Sequence, residues 1–453
     1  LHYNTRATAR VRFLETLARV ADSRPGLVAL TARGLSRDDA RLAAGFAKER
    51  RLGFEALEPP GSADSGGPLV AGLSEAAKLL ATAVKGAGGD DPRLVSGGTV
   101  FVSHAAFWKK RTAEGGGEED YEHYLDDLLR EAARRKLQTV TLGVGPQSTF
   151  RTRTTMEKWR ERLSLRRDER FVHVNRFVTP RLAARALRAF LFARGVERRF
   201  QSSPALSDAF SHRGVRFADE VSARDLGFML LHQAPWAARC LLEFDAAFRA
   251  LAPRVVCLYA ESSGLGRAAI AAARRQGVRT LGVQHGILYP NYYSYERGAG
   301  EIESGSPLSD LTAVYGRDGM RLLESTFRYP KGRVVATGSP RYDALAAEAA
   351  RADRLARRRE LGWPEHGRVL VLASRYRGIR DTHKAAGPAF TSLLDAVRGL
   401  GDATLVVKPH PAEPGDAYNE DIAAAGLGPR IRVVTDETLT LQNVPHLADV
   451  EQL

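Results

Sequence analysis

Three short stretches hold most of the side chains able to do acid–base or phosphate chemistry. In "GVQHGILYPNYYSY" (282–295), His285 stands between an apolar run and Gly286, and Tyr289, Tyr292, Tyr293 and Tyr295 follow. In "ESSGLGR" (261–267), Glu261 ends another apolar run. In "KPHP" (408–411), Lys408 and His410 alternate with prolines. A carboxylate and an imidazole suit general acid–base work. A cation held beside an imidazole suits a phosphate or diphosphate.

Each stretch also has a plainer reading. His285 is a catalytic group, a ligand-binding group or a packed core histidine. Ser262 or Ser263 caps a helix, while Gly264 and Gly266 allow close backbone approach to an anion at its N-terminus, or simply make a tight turn. In "KPHP" the prolines mark a strand exit and bias Lys408 and His410 to extended backbone, so the two point to one side. Otherwise it is a stiff loop with a solvated lysine. "TGSPRYD" (337–343) turns sharply at Gly338 and Pro340, with Arg341 beyond, and "ASRYR" (373–377) offers Ser374 and Arg375 at another strand end. His104 in "FVSHAAFW" and Gly143–Gly145 in "LGVGP" also end strands.

These residues need a scaffold, and the chain supplies one from about residue 99. "VVCLYA", "ESSGLGRAAIAAARRQG" and "VRTLGVQ" read as strand, helix and strand within about 30 residues, a βαβ unit with parallel neighbours. Strands are also expected at 99–103, 139–145, 171–175, 311–316, 333–339, 368–374, 403–411 and 431–435. Helices are expected at 121–136, after Pro180 to near Gly195, at 317–328, at roughly 341–361 and at 386–400. Such alternation implies an open parallel sheet covered on both faces. Ligands bind outside the carboxyl ends of such strands. With neighbouring strands about 4.8 Å apart, Glu261 and His285 should emerge at one edge, within reach of one ligand.

The expected division is a partly helical extension (1–95, helical at 11–21 and 74–84), a first Rossmann-like domain (96–345), a connecting helix and linker (346–366) and a second Rossmann-like domain (367–453). The second reads as incomplete, because the chain of 453 residues stops inside an expected helix. An apolar fraction of 44% with 26% charged residues is that of a globular protein with a sizeable core. A net charge of +14 favours an acidic partner: phosphates, an anionic polymer or an anionic membrane surface. The charge is spread along the chain without zinc spacing or a basic arm, which argues against nucleic acid. Cys240 and Cys257 form no CxxC pair, which fits a reducing cytoplasm. No apolar run approaches the ~20 residues that span a bilayer, and no signal peptide is evident.

The order of "QHG", "TGSPRYD" and "KPHP" resembles bacterial surface-polysaccharide glycosyltransferases of the two-domain GT-B type. Their relatives include capsule synthesis enzymes, polysialyltransferase-like proteins, CDP-glycerol glycerophosphotransferases and UDP-N-acetylglucosamine 2-epimerases. The resemblance covers about 255–435, and the GT-B frame extends back to 99. It implies a nucleotide-activated donor held mainly by the C-terminal domain, with His410 and Pro411 near its phosphate. Lys408, Ser374, Arg375, Gly338 and Arg341 are the other candidates there. It implies a glycan or lipid-linked glycan acceptor on the N-terminal domain, where Gly286, Tyr289, Tyr292, Ser262, Gly264 and His104 are candidates. Glu261 or His285 matches the catalytic base by position. No metal and no cofactor is required, and the expected location is the cytoplasm or the inner face of the membrane. Relatives carry a Ser/Thr pair and an acidic residue after the next strand, and this chain ends at Leu453 before that point. A CDP-glycerol-type phosphotransferase, a UDP-sugar 2-epimerase and a non-catalytic polyanion-binding protein stay open as alternatives.

Overall fold

Largely apolar, β-branched runs of two to six residues form the strands of a seven-stranded sheet in this computed structural model. The strands are β1 (Thr99–His104), β2 (Thr139–Val144), β3 (Val172–His173), β4 (Val255–Tyr259), β5 (Arg279–Val283), β6 (Leu311–Val314) and β7 (Val334–Ala336). Their spatial order is β3-β2-β1-β4-β5-β6-β7, and every neighbouring pair is parallel. The chain first builds outward from β1, then returns and builds the other way from β4. The order therefore reverses between β1 and β4, which is where open α/β sheets receive ligands.

The structure describes residues 2–33, 37–56, 94–112, 116–145, 171–205, 210–212, 215–216, 227, 229–290, 292, 294–351, 353–374, 388–409, 416 and 418–434. The expected helix at 74–84, the side chain of Tyr293, and Arg375, His410 and Pro411 lie outside these residues.

Both faces of the sheet are covered. Helix α1 (Asp126–Arg134) lies with Leu125 against Phe101, Cys257 and Tyr259 on one face. On the other, helices α3 (Ala234–Leu251) and α4 (Gly264–Arg275) pack Phe244, Phe248, Ala269 and Ile270 against Val100, Val256 and Leu258. Helix α2 (Pro180–Gln201) starts on Thr179, whose hydroxyl accepts the Leu182 N–H at 3.2 Å, and packs on α3. It runs through Gly195 rather than ending there, because buried Ala193 and Glu197 carry its inner face past the glycine.

Three segments depart from expectation for local reasons. Residues 108–112 and 118–122 pair as an antiparallel ribbon, and the helix after them starts only at Asp126. The Glu122 carboxylate takes the N–H groups of Tyr124 and Leu125 and so stops the helix from reaching further back. Strand 171–175 shortens to β3, then a 3-10 turn whose entry is capped by His173. The long helix at 341–361 is two helices, because Asp353 caps a new start by accepting the Ala356 N–H at 3.0 Å. Residues 29–32 and 53–56 also form a parallel pair around helix Arg37–Glu49, with a core of Leu14, Leu42, Phe46 and Val215.

The chain divides between Thr337 and Gly338 into two compact units. The second unit has its own parallel sheet, β8 (Arg368–Ala373), β9 (Ala403–Lys408) and β10 (Ile431–Val433), in that order. Its core is Phe390, Leu394, Leu405, Val407, Tyr418 and Ile422. The protein is thus an α/β fold with a parallel sheet in each unit. No described helix is long and apolar enough to cross a membrane.

Candidate functional site

The carboxyl edge of the seven-stranded sheet gathers most of the expected first-unit residues, but it does not join them into one group. Alternation along β4 puts Val256 and Leu258 on the α3/α4 face and Cys257 and Tyr259 on the α1 face. Along β5, Leu281 and Val283 join the α1 face. His285 continues that series. Its ring lies 5.7 Å from the Tyr259 ring and 5.5 Å, edge-on, from the Tyr124 ring. Burial holds its pKa below the ordinary 6.5, so the imidazole is neutral at neutral pH. Its Nδ1 is buried and has no hydrogen-bond partner among the described residues.

Glu261 goes to the other face. The residue before it, Ala260, has φ +53°, in the left-handed region. That kink breaks the alternation and swings the carboxylate back over β5 and β6. Thr312 Oγ1 donates to it, 3.0 and 3.1 Å from its two oxygens, and the Tyr329 hydroxyl donates at 3.1 Å. A side chain on Gly282 would fall 2.4 Å from Glu261 Oε2, so glycine there makes room for the carboxylate. Glu261 is 2% exposed. Burial raises its pKa, opposed by its hydroxyl partners and by the nearby Arg297, itself fully buried. Glu261 therefore sits beneath the edge as an interior carboxylate, and the expectation that it meets one ligand together with His285 is corrected.

A second buried carboxylate supports the His285 side. Glu122 accepts from Ser103 Oγ at 2.9 Å and from the backbone at Tyr124 and Leu125. It also shares a hydrogen bond with the Tyr259 hydroxyl, which in turn accepts the His104 N–H at 2.7 Å. Burial is the main cause that raises the pKa of Glu122. This network locks the ends of β1 and β4 together beneath His285. Neither Glu122 nor Tyr259 was anticipated. Glu122 lies within an acidic run that reads as a helix, whereas a tyrosine ending an apolar strand was a usable signal.

On the α3/α4 face the edge opens into a cavity of about 190 Å³. Its walls are His104, Gly145 and His173 from the strand ends, Trp236, Arg239 and Glu243 from α3, and Leu265 from α4. It lies at the order reversal between β1 and β4. Burial lowers the pKa of His104, leaving a neutral imidazole in one wall. His173 accepts the Asn175 N–H on Nδ1, so its Nε2 carries the proton and donates to Gly145 O at 3.0 Å. Arg239 and Glu243 form a buried ion pair at 3.4 Å. The His104 and Gly145 walls match the strand ends singled out in the sequence. The α3 residues come from a helix whose contribution to the edge follows from packing rather than from strand order.

The remaining first-unit candidates have mostly structural surroundings. Ser263, not Ser262, caps α4 by accepting the Gly266 N–H at 3.0 Å. Ser262 is buried and bonded to the Tyr295 hydroxyl. Gly264 faces the Trp236 indole, which a side chain there would meet at 2.6 Å. Tyr289 and Tyr292 stack at 4.8 Å, and Tyr292 passes the contact on to the buried Tyr295. These rings pack the loop onto Phe327 and Tyr329, and only Tyr289 of the three is exposed. Gly286 has open space at its Cβ position. Gln284 fixes the turn around His285, donating to Gly286 O and accepting the Tyr315 N–H, both at 2.8 Å.

In the second unit, Lys408 ends β9 and is largely buried, and its carbonyl accepts the Ser374 N–H at 3.0 Å beyond β8. The two strand ends are adjacent, and Ser374 is 2% exposed. Gly338 has φ +79° and Arg341 is half-buried in the first turn of the following helix, Pro340–Arg351. Among the described residues no group of three His, Cys, Asp or Glu side chains converges to hold a metal ion.

No protein-family model matches the sequence, and no curated protein matches it. Several solved structures are similar at low identity. UDP-GlcNAc 2-epimerase from Neisseria meningitidis, bound to UDP-GlcNAc, is 12% identical with a TM-score of 0.41, over 77% of this chain and 74% of that one. A glycosyltransferase from Rickettsia africae is 9% identical with a TM-score of 0.41, over 78% and 72%. The wall teichoic acid polymerase TagF is 11% identical with a TM-score of 0.34, over 82% and 68%. At these values the α/β assignment rests on the chain's own strand order rather than on the likeness.

Proposed function

We propose that the protein is a glycosyltransferase that moves a sugar from a nucleotide-activated donor to a glycan acceptor. The observation that carries this reading is His285. It is a neutral imidazole at the carboxyl end of a central parallel strand, backed by tyrosine rings and a locked carboxylate network. A neutral imidazole accepts a proton from an acceptor hydroxyl. The freed oxygen bonds to the anomeric carbon of the donor, and the bond from that carbon to the nucleoside diphosphate breaks. The first unit binds the acceptor along the carboxyl edge, from the cavity beside His104, whose backbone N–H donates to the Tyr259 hydroxyl, across to His285, whose ring lies 5.7 Å from the Tyr259 ring. The second unit binds the donor, with Lys408, His410 and the backbone near Ser374 stabilising the leaving diphosphate. This assignment gives His285 the proton and leaves Glu261 to hold the scaffold.

A product screen tests the reaction class. The protein is incubated with UDP-, GDP- and CDP-sugars and with CDP-glycerol, each with and without oligosaccharide acceptors. Extended glycan with release of a nucleoside phosphate supports the proposal. Glycerol phosphate on the acceptor with release of CMP would overturn it in favour of phosphotransfer. A donor epimerised without acceptor would overturn it in favour of isomerase chemistry.

A further inference from the structure

Helix α2 turns outward more apolar and cationic surface than its packing requires. Its inner face is accounted for by Leu182, Ala183 and Ala186, which are buried against Leu242 and Ala246 of α3. Its one acidic residue, Glu197, is also buried and accepts from Arg194 at 2.9 Å. Outward stand Leu187, Leu191 and Phe192, which are 36%, 59% and 75% exposed. Their i, i+4 and i+5 spacing groups them on one side of the helix. Around them stand Arg181, Arg185, Arg188, Arg198 and Arg199, all exposed. No carboxylate shares that face.

A face that met only water would mix acids with bases at i, i+4 spacing. An apolar protein partner would use the leucines and the phenylalanine but not five guanidiniums. A nucleic acid would use the guanidiniums but not the leucines. An anionic bilayer uses both, since it presents phosphates at its surface and hydrocarbon just beneath. At 22 residues the helix is about 33 Å long. Its buried inner face fixes it to α3, so the contact lies along the membrane surface.

We propose that α2 docks the protein on membranes containing anionic phospholipid, with Leu187, Leu191 and Phe192 below the level of the phosphates that the arginines bind. The proposal stands on this helix alone and does not depend on the reaction proposed above.

Co-sedimentation of the full chain with vesicles tests it. Binding to phosphatidylcholine–phosphatidylglycerol vesicles should be at least about tenfold tighter than to phosphatidylcholine alone and should weaken as salt rises. The Leu191→Ser/Phe192→Ser variant should lose about tenfold in affinity through its apolar contacts. The Arg185→Gln/Arg188→Gln/Arg199→Gln variant should lose about tenfold or more through its charges. Both should keep the wild-type melting temperature, because the altered side chains face outward. Equal binding to both vesicle types, no binding to either, or variants that bind like wild type would overturn the proposal. So would a dimer in solution that the serine variant splits, or RNA binding without vesicle binding.

Discussion

His285 and Glu261 leave the ends of adjacent parallel strands on opposite faces of the sheet. The φ of +53° at Ala260 separates them. Without it, alternation would put Glu261 on the Tyr259 face, beside His285. The two groups therefore have different work. One is a neutral imidazole at the sheet edge. The other is a carboxylate enclosed by Thr312, Tyr329 and Gly282, with Arg297 near it.

Glu261 should accordingly govern stability. Glu261→Ala leaves the Thr312 and Tyr329 hydroxyls without their acceptor and removes a carboxyl group near the buried Arg297. Each buried hydroxyl left unpaired costs about 1–3 kcal/mol. Urea unfolding should show that loss, with a smaller one for Glu261→Gln. A Glu261→Ala protein as stable as wild type would contradict the placement.

Two glycines on either side of the β5 end should respond in opposite ways. In Gly282→Ala the new methyl collides with Glu261 Oε2 and should cost about 1–3 kcal/mol. In Gly286→Ala it meets nothing within 4 Å, and stability should stay within about 0.5 kcal/mol of wild type. Paired melting curves check both.

Much of the scaffold was legible in the residues. The βαβ unit at 255–285 follows from apolar runs, capping serines and Gly277, and the parallel register of β4 with β5 agrees. The details of the site were not, because they depend on contacts distant in sequence. A left-handed alanine has no composition signal, so the two faces could not be told apart. Gly264 resembles a ligand-approach glycine until Trp236, 28 residues earlier, is seen against it. The tyrosines after His285 look like a binding wall until Tyr295 is found anchored on Phe327 and Tyr329. The Trp236, Arg239 and Glu243 walls of the cavity project from a helix that carries no motif.

The buried imidazoles should make stability depend on pH. Burial holds His104 and His285 below their ordinary 6.5. On acidification the unfolded chain takes up protons near 6.5, before the folded one does. Stability is therefore full above that value and is lost as pH falls below it. Urea midpoints should drop between about pH 7.5 and about pH 5.5, and a His104→Gln/His285→Gln variant should show a smaller drop. An equal drop in that variant would assign the effect to other groups.

The glycine after β2 should protect the cavity. Gly145 has φ +75°, and a side chain there would fall 2.3 Å from His104 Nε2. Gly145→Ala should both strain the backbone and displace the imidazole, costing about 1–3 kcal/mol. It should also raise KM for the acceptor more than KM for the donor. Equal effects on both KM values would contradict the assignment of the cavity to the acceptor.

The most direct measurement of the central claim is the turnover of wild type against His285→Ala, with donor and acceptor saturating and both proteins shown to be folded by circular dichroism. Loss of a general base predicts a fall in kcat of about 10²–10⁴-fold, with the acid limb of the wild-type pH profile absent from the variant. A His285→Ala protein that transfers at near the wild-type rate, with the same acid limb, would contradict the account.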